Sequence, residues 1–388
     1  MKNKKISVIA PDLSGGGMTR VYIIATTLQN LGYEVKVFGL LFGENIYPQP
    51  PIGLPVVYTH GTKFPQIWKP ISDLAKEIDG DLIYAIKPKP TSLGIAYIIS
   101  LLKRKPLMLD IDDWEMSWFG GEHWQYKPTI KQLMGDLLKK NGALRDLGHP
   151  LYIKWSEKLV DKANAITVNT RFLQSYFGGT YLPSGKNTEM FNPDKFNPQL
   201  SREKYGLLDY RILMFPGTPR PHKGLEDVLM AIKLLNQTDI KLVIVGGRNI
   251  GDGYMENLKN EWSEFIIYLP PCPFDSMPEI ISAAHIVVVP QRKTTTAIAQ
   301  FPIKLTDAMA MAKPIIATKV GDIPEILNDQ GYLVEPESPI EIKQVIGEIF
   351  ENYDVALKKG KKIREHCINH YSIDSMGSTL EKIIDSVH

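Results

Sequence analysis

Short apolar runs recur along the first half of the chain, at residues 6–10, 34–38, 55–58, 81–85 and 106–110. Helix-length segments lie between them, the first from Arg20 to Leu31 with Gly32 closing it. The runs are mostly apolar rather than alternating, as expected of parallel strands covered on both faces. This predicts an α/β domain. After Asn192-Pro193 and Asn197-Pro198 the same grammar restarts, with predicted strands at 211–215, 241–245, 265–268, 286–289 and 314–317. Helices are predicted at 225–235, 277–283 and 304–311. A second α/β domain therefore begins near residue 200, and the Pro- and Asn-bearing stretch 183–198 is the expected hinge.

Length agrees with this reading, since 388 residues suit two to three domains of about 150 residues. With 44% hydrophobic and 23% charged residues the chain is globular rather than disordered or fibrous. A net charge of +2 is far from the excess that a general nucleic-acid binder needs, so no nucleic-acid partner is expected. Cys272 and Cys367 stand apart with no Cys-x-x-Cys or Cys/His cluster, which suggests neither a disulfide framework nor a zinc site and fits a reducing cytoplasm. The apolar runs at 6–10 and 93–102 are too short for an export signal or a membrane span.

Three strand–loop–helix segments carry the chemistry. Gly15-Gly16-Gly17 follows a strand and opens a helix, so its amides could face an anion, although glycines there also serve a tight turn alone. The run is not Gly-x-Gly-x-x-Gly, and Glu34 gives a nicotinamide reading only weak support. Residues 215–225 place Arg220, His222 and Lys223 in a proline-stiffened loop at a strand's C-terminal end, where open α/β sheets bind ligands. Arg220 and Lys223 suit a diphosphate; a solvated basic turn is the alternative. In the third segment, Asp307 falls one turn into a helix that follows the loop 301–304. Its carboxylate could accept both ribose hydroxyls, or simply complement the helix dipole.

Taken in order, the glycine loop, Pro183-Ser-Gly-Lys-Asn-Thr-Glu-Met-Phe-Asn-Pro193, the loop from Gly217 to Gly224 and the segment from Lys304 to Thr318 with Gly321 resemble the family 4 retaining glycosyltransferases. The resemblance covers nearly the whole chain. It implies the GT-B fold, two Rossmann-like α/β domains facing each other across a cleft. These are an acceptor-side domain at 1–195, with a C-terminal helix at about 372–388 packed back on it, and a nucleotide-sugar domain at 196–371. It further implies transfer of a sugar from a nucleotide sugar, most commonly a UDP-sugar, to a glycan, lipid-linked or protein-linked acceptor with retention, and no required metal or cofactor. By this resemblance Arg220 and Lys223 hold the diphosphate and stabilise the leaving group, Asp307 binds the ribose, and Gly16 and Gly17 approach from the first domain. Gly217, Thr218, Phe301, Pro302, Ile303, Lys304 and Leu305 complete the donor-binding set.

The chain departs from the family pattern in two places. Ala299 stands where the first Glu of a Glu-x7-Glu pair is usual, and Thr218 where Arg is usual, with Arg220 expected to reach the same phosphate. The acid-rich strand end 109–115 has no His; Asp112 or Asp113 is expected to bind sugar hydroxyls, Asp112 as a catalytic-site group, and Trp114 to stack on a pyranose. Asp110-Ile-Asp112 also matches a metal-binding Asp-x-Asp, a reading the two-domain pattern disfavours. Between 127 and 145, Lys127, Lys131, Lys139, Lys140 and Arg145 flank Ile130, Leu133, Met134, Leu137 and Leu138. Such a segment is either a core-facing helix with a basic outer side or a peripheral contact with the inner membrane face. The leading expectation is a cytoplasmic retaining glycosyltransferase. A non-catalytic nucleotide-sugar or glycan-binding subunit, an epimerase or phosphorylase of the same fold, and last a dehydrogenase are the alternatives.

Overall fold

A computed structural model describes residues 4–15, 17–246 and 253–387. The chain forms two compact units, Met1–Ser184 with Met376–His388, and Gly185–Ser375.

The first unit holds a seven-stranded sheet of β1 (Lys5–Ile9), β2 (Glu34–Leu41), β3 (Val56–His60), β4 (Leu82–Ile86), β5 (Leu107–Ile111), β6 (Ala165–Val168) and β7 (Thr180–Tyr181). The strands lie in the order β3-β2-β1-β4-β5-β6-β7, and every pairing is parallel. Val8, for instance, faces Val37 on one side and Tyr84 on the other. The helix Met18–Asn30 buries Met18, Val21, Ile24, Ala25 and Leu28 against this sheet. The last helix, Ile373–Ser386, adds Met376, Leu380, Ile383 and Ile384 to the same core.

The second unit repeats the plan with β8 (Arg211–Pro216), β9 (Ile240–Val245), β10 (Ile266–Leu269), β11 (Ile286–Val289), β12 (Ile315–Thr318) and β13 (Tyr332–Val334). The order is β10-β9-β8-β11-β12-β13, again all parallel. Alternate residues enter two separate cores: Met214, Val243 and Val287 one, Leu213, Leu242 and Ile286 the other. Both faces are therefore covered, which is why the strands read as continuous apolar runs.

In both sheets the strand order reverses between the first and fourth strands of the unit, β1/β4 and β8/β11. A crevice outside the carboxyl ends of the strands opens at such a point, because successive crossovers leave it in opposite directions. The chemistry-bearing loops start there, after Ile9 and Ile86 in one unit and after Pro216 and Val289 in the other.

Three strands escape the hydrophobic pattern. β6 and β13 are only four and three residues long, and β7 is an edge pair of two. The basic segment 127–145 is also shorter as a helix than its periodicity predicts, running Ile130–Leu138 only. Gly142 turns the chain there, since a Cβ would lie 2.2 Å from the Asp136 carbonyl oxygen. Among the described residues no helix is long and apolar enough to cross a membrane.

Candidate functional site

A pocket of about 320 Å³ opens at the β8/β11 switch point of the second unit. Pro216, Gly217 and Lys223 line it from the loop after β8, Gln291 from the loop after β11, and Phe301, Pro302, Ile303, Lys304 and Asp307 from the start of the helix Ile303–Ala310. Phe274 and Met277 close it from a segment whose role the sequence leaves open. Glycine is needed at two points of the first loop. Gly217 has φ +134, and its missing side chain lets Lys304 Nζ come to 3.4 Å of where a Cβ would sit. Gly224 has φ +65, and a Cβ there would lie 2.1 Å from the Pro290 carbonyl oxygen.

The pocket is cationic. Lys223 Nζ donates to Gln300 Oε1 at 3.2 Å, and Lys304 Nζ lies 3.9 Å above the Phe215 ring. Burial, and after it the charge of Lys223, pushes the Lys304 ammonium well below the usual lysine range, against the pull of Asp307. His222 is pushed down to about 3 by burial and by Lys223, Arg220 and Lys304, so it is neutral at pH 7. Asp307 is the only carboxylate among the lining residues, and Lys186 forms an ion pair with its Oδ1. Helix amides and lysines around a small cavity form a site for an oxyanion, since both offer unscreened positive charge in a low-dielectric wall.

Not every expected donor residue lines this pocket. Thr218 and Arg220 are half-buried on the same loop but outside the lining, and Leu305 is buried in the core and does not line it either. Ala299 is fully buried and offers no carboxylate. Gly16 lies outside the described residues.

In the first unit the β1/β4 switch point carries a different constellation. Lys87 follows β4 with φ 69, and a Cβ on Gly17 would meet its Cε at 3.3 Å. Its ammonium lies 3.4 Å from Asp112, 3.8 Å from Asp113 and 2.7 Å from Glu115, while Lys89 reaches Glu115 at 2.8 Å. Burial pushes Asp112 up to about 6, with Lys87 opposing and Asp110 and Asp113 adding to the rise. Glu115 is also buried, but Lys87 and Lys89 outweigh this and bring it to about 2. Beneath them Arg20 forks onto both oxygens of Asp110, at 2.9 and 2.7 Å, with both side chains nearly inaccessible. That structural role removes Asp110 from any metal-binding Asp-x-Asp pair. Among the described residues no three His, Cys, Asp or Glu are grouped to hold a metal ion.

Trp114 does not offer a stacking face. It is 5% exposed, donates its indole N–H to Glu157 at 3.0 Å, and packs against Phe172 and Tyr176 with Gly121 beside its ring. Lys87, its neighbour Lys89 and Lys186 are charged groups that sequence reasoning misses. Their signals are a lysine directly after a strand and the single lysine of the 183–193 stretch.

The helix Ile130–Leu138 buries no residue, which sets aside the core-facing reading. Ile130 is 81%, Met134 56% and Leu138 72% exposed. Lys127, Lys131, Lys139 and Lys140 are exposed as well, and no ion pair with another described residue holds them. Arg145 differs from this basic set, because its guanidinium donates to the Phe64 carbonyl and to Gln66.

Comparison with known proteins agrees with this geometry. Residues 210–352 match the family described as glycosyl transferases group 1. A GDP-mannose-dependent alpha-(1-6)-phosphatidylinositol monomannoside mannosyltransferase of Mycolicibacterium smegmatis is 23% identical over 333 residues, covering 78% of this chain and 84% of the relative. The crystal structure of Anabaena Alr3699/HepE in complex with UDP-glucose superimposes with a TM-score of 0.75 at 17% identity, over 98% of this chain and 99% of the other. WaaG, a glycosyltransferase involved in lipopolysaccharide biosynthesis, does so with a TM-score of 0.68 at 15% identity, over 98% and 99%. The second unit thus matches glycosyl transferases group 1 over residues 210–352, and the chain is a glycosyltransferase built of two parallel-sheet α/β units of the GT-B kind.

Proposed function

We propose that the protein transfers a sugar from a nucleoside-diphosphate sugar to a lipid-linked or other glycan acceptor with retention of anomeric configuration, without a metal. One observation carries this reading: a small pocket at a strand-order switch point gathers Lys223, Lys304, a helix N-terminus and the single carboxylate Asp307. Lys223 and Lys304 would bind the diphosphate and stabilise the charge that grows on the leaving group, with Arg220 joining from the same loop. Asp307 would accept the ribose hydroxyls. The departing phosphate oxygen would take the acceptor's proton, so no carboxylate base is required; Asp112 and Gly17 are kept as candidate sugar-binding groups of the first unit. The HepE structure is a complex with UDP-glucose and the mannosyltransferase relative is GDP-mannose-dependent, which makes UDP the first base to try and GDP the second.

Calorimetric titration with UDP and GDP tests the donor site, and the anomeric proton coupling of the glycoside formed tests retention. Binding of neither nucleotide, or an inverted product, refutes the respective part.

The exposed apolar face of Ile130–Leu138, ringed by four lysines without ion pairs, supports a lipid-linked acceptor taken at an anionic membrane surface. The protein is expected to float with phosphatidylglycerol vesicles at low salt, and a Leu137→Ser, Leu138→Ser variant is expected not to. Equal recovery of both proteins in the unfloated fraction contradicts this.

A further inference from the structure

The carboxylate that lines the nucleotide pocket is held by a lysine that does not line it. Lys186 is 3% exposed, and its backbone is clamped on both sides: its N–H donates to the Tyr371 carbonyl at 2.7 Å, and its own carbonyl accepts from Ile373 at 3.0 Å. From this anchor its ammonium passes the faces of Phe191 and Phe274, 4.4 and 5.6 Å from the ring centroids, and ends on Oδ1 of Asp307. A lysine so withdrawn from water needs a counter-charge, and among the described residues Asp307 is the only anion with which it is paired. The carboxylate is equally constrained. It stands within a cationic pocket, yet among the described residues its ion pair is with the hidden lysine and not with Lys304 or Lys223, which line the pocket.

We infer that Lys186 is a positioning residue for nucleotide recognition: by fixing Oδ1 of Asp307 it presents Oδ2 to the ribose hydroxyls and keeps that carboxylate from pairing with the lysines that must hold the diphosphate. The inference rests on the donor site proposed above and adds a division of labour within it. One lysine neutralises the acid from the protein side, so the other two remain available to phosphate. Removing Lys186 would release Asp307 toward Lys304, which it already attracts. That would cost ribose recognition and weaken diphosphate binding together.

A lysine that merely tied the 183–193 segment to the helix would leave ribose recognition intact in whatever protein folds, which gives the test its readout. Wild type, Lys186→Met and Lys186→Arg are titrated with UDP, 2′-deoxy-UDP, GDP and 2′-deoxy-GDP, with folding checked by near-UV circular dichroism. Wild type is expected to bind the ribo form about tenfold or more tighter than the deoxy form, the worth of hydrogen bonds to a charged group. Lys186→Met is expected to bring that ratio close to one, and Lys186→Arg to keep most of it. Should Lys186→Met fail to fold, Lys186→Gln is read by the same criterion. An unchanged ratio in the neutral variant overturns the role of Lys186 alone, and a wild-type ratio near one overturns it together with the ribose role of Asp307. Absence of any nucleotide binding to wild type overturns the donor site and this role with it.

Discussion

Lys304 is the group in the pocket whose proton a nucleotide should control. In the free protein burial and the charge of Lys223 hold its ammonium well below the usual lysine range. A phosphate oxygen seated about 4 Å away interacts with a lysine by about 4 kcal/mol at an effective dielectric of about 20. That pulls the lysine back up on binding, because an opposite charge favours the protonated form. The sign follows from linkage: the bound form holds more protons, so affinity falls as pH rises between the free and the bound values. In that window Kd for UDP is expected to rise about tenfold per pH unit, with up to one proton taken up per nucleotide. Calorimetry between pH 8 and 9.5, where the terminal phosphate is fully ionised, measures the uptake as the slope of observed enthalpy against buffer ionisation enthalpy. Lys304→Met is expected to bind more weakly, with a flat slope. No proton uptake by wild type, or equal uptake by Lys304→Met, refutes the reasoning.

Two further substitutions report on the scaffold that holds the loops. Gly224→Ala places a Cβ 2.1 Å from a backbone carbonyl in left-handed backbone, so it is expected to cost more than about 2 kcal/mol and lower Tm by about 4 °C or more; an effect under about 0.5 kcal/mol contradicts the geometry. Arg20→Leu leaves the inaccessible Asp110 carboxylate without its cation and is expected to cost about 3–5 kcal/mol in urea denaturation. Replacing both partners with apolar residues is expected to recover part of that loss.

What the sequence discloses here is what lies close along the chain. Leu82–Ile86 is buried at every position and reads at once as a two-sided strand. Lys223, Lys304 and Asp307 are legible because a strand end and the start of the following helix fix their surroundings within a few residues. The Ala165–Val168 strand is hidden because Thr167 takes the place of an apolar residue, its hydroxyl bonded to Asp110 and Tyr84 in the buried sheet. Lys186 and Lys87 draw their meaning from residues far along the chain or around a turn, contacts no local spacing encodes. Trp114 shows the converse: an aromatic at a strand end suggests sugar stacking, and only the packing of Phe172 and Tyr176 over it reveals a core residue. The face of Ile130–Leu138 is periodic in sequence, but periodicity does not say whether protein or solvent meets it.

The most direct test of the central claim is titration of wild type and Lys223→Ala with UDP and GDP at pH 7.5 and low salt. Saturable binding of one of them by wild type, weakened about 10²-fold by Lys223→Ala, is the expected result, since that variant removes one cation from a desolvated diphosphate. Binding of neither nucleotide, or equal binding by Lys223→Ala, would contradict the assignment of this pocket as the nucleotide-sugar site.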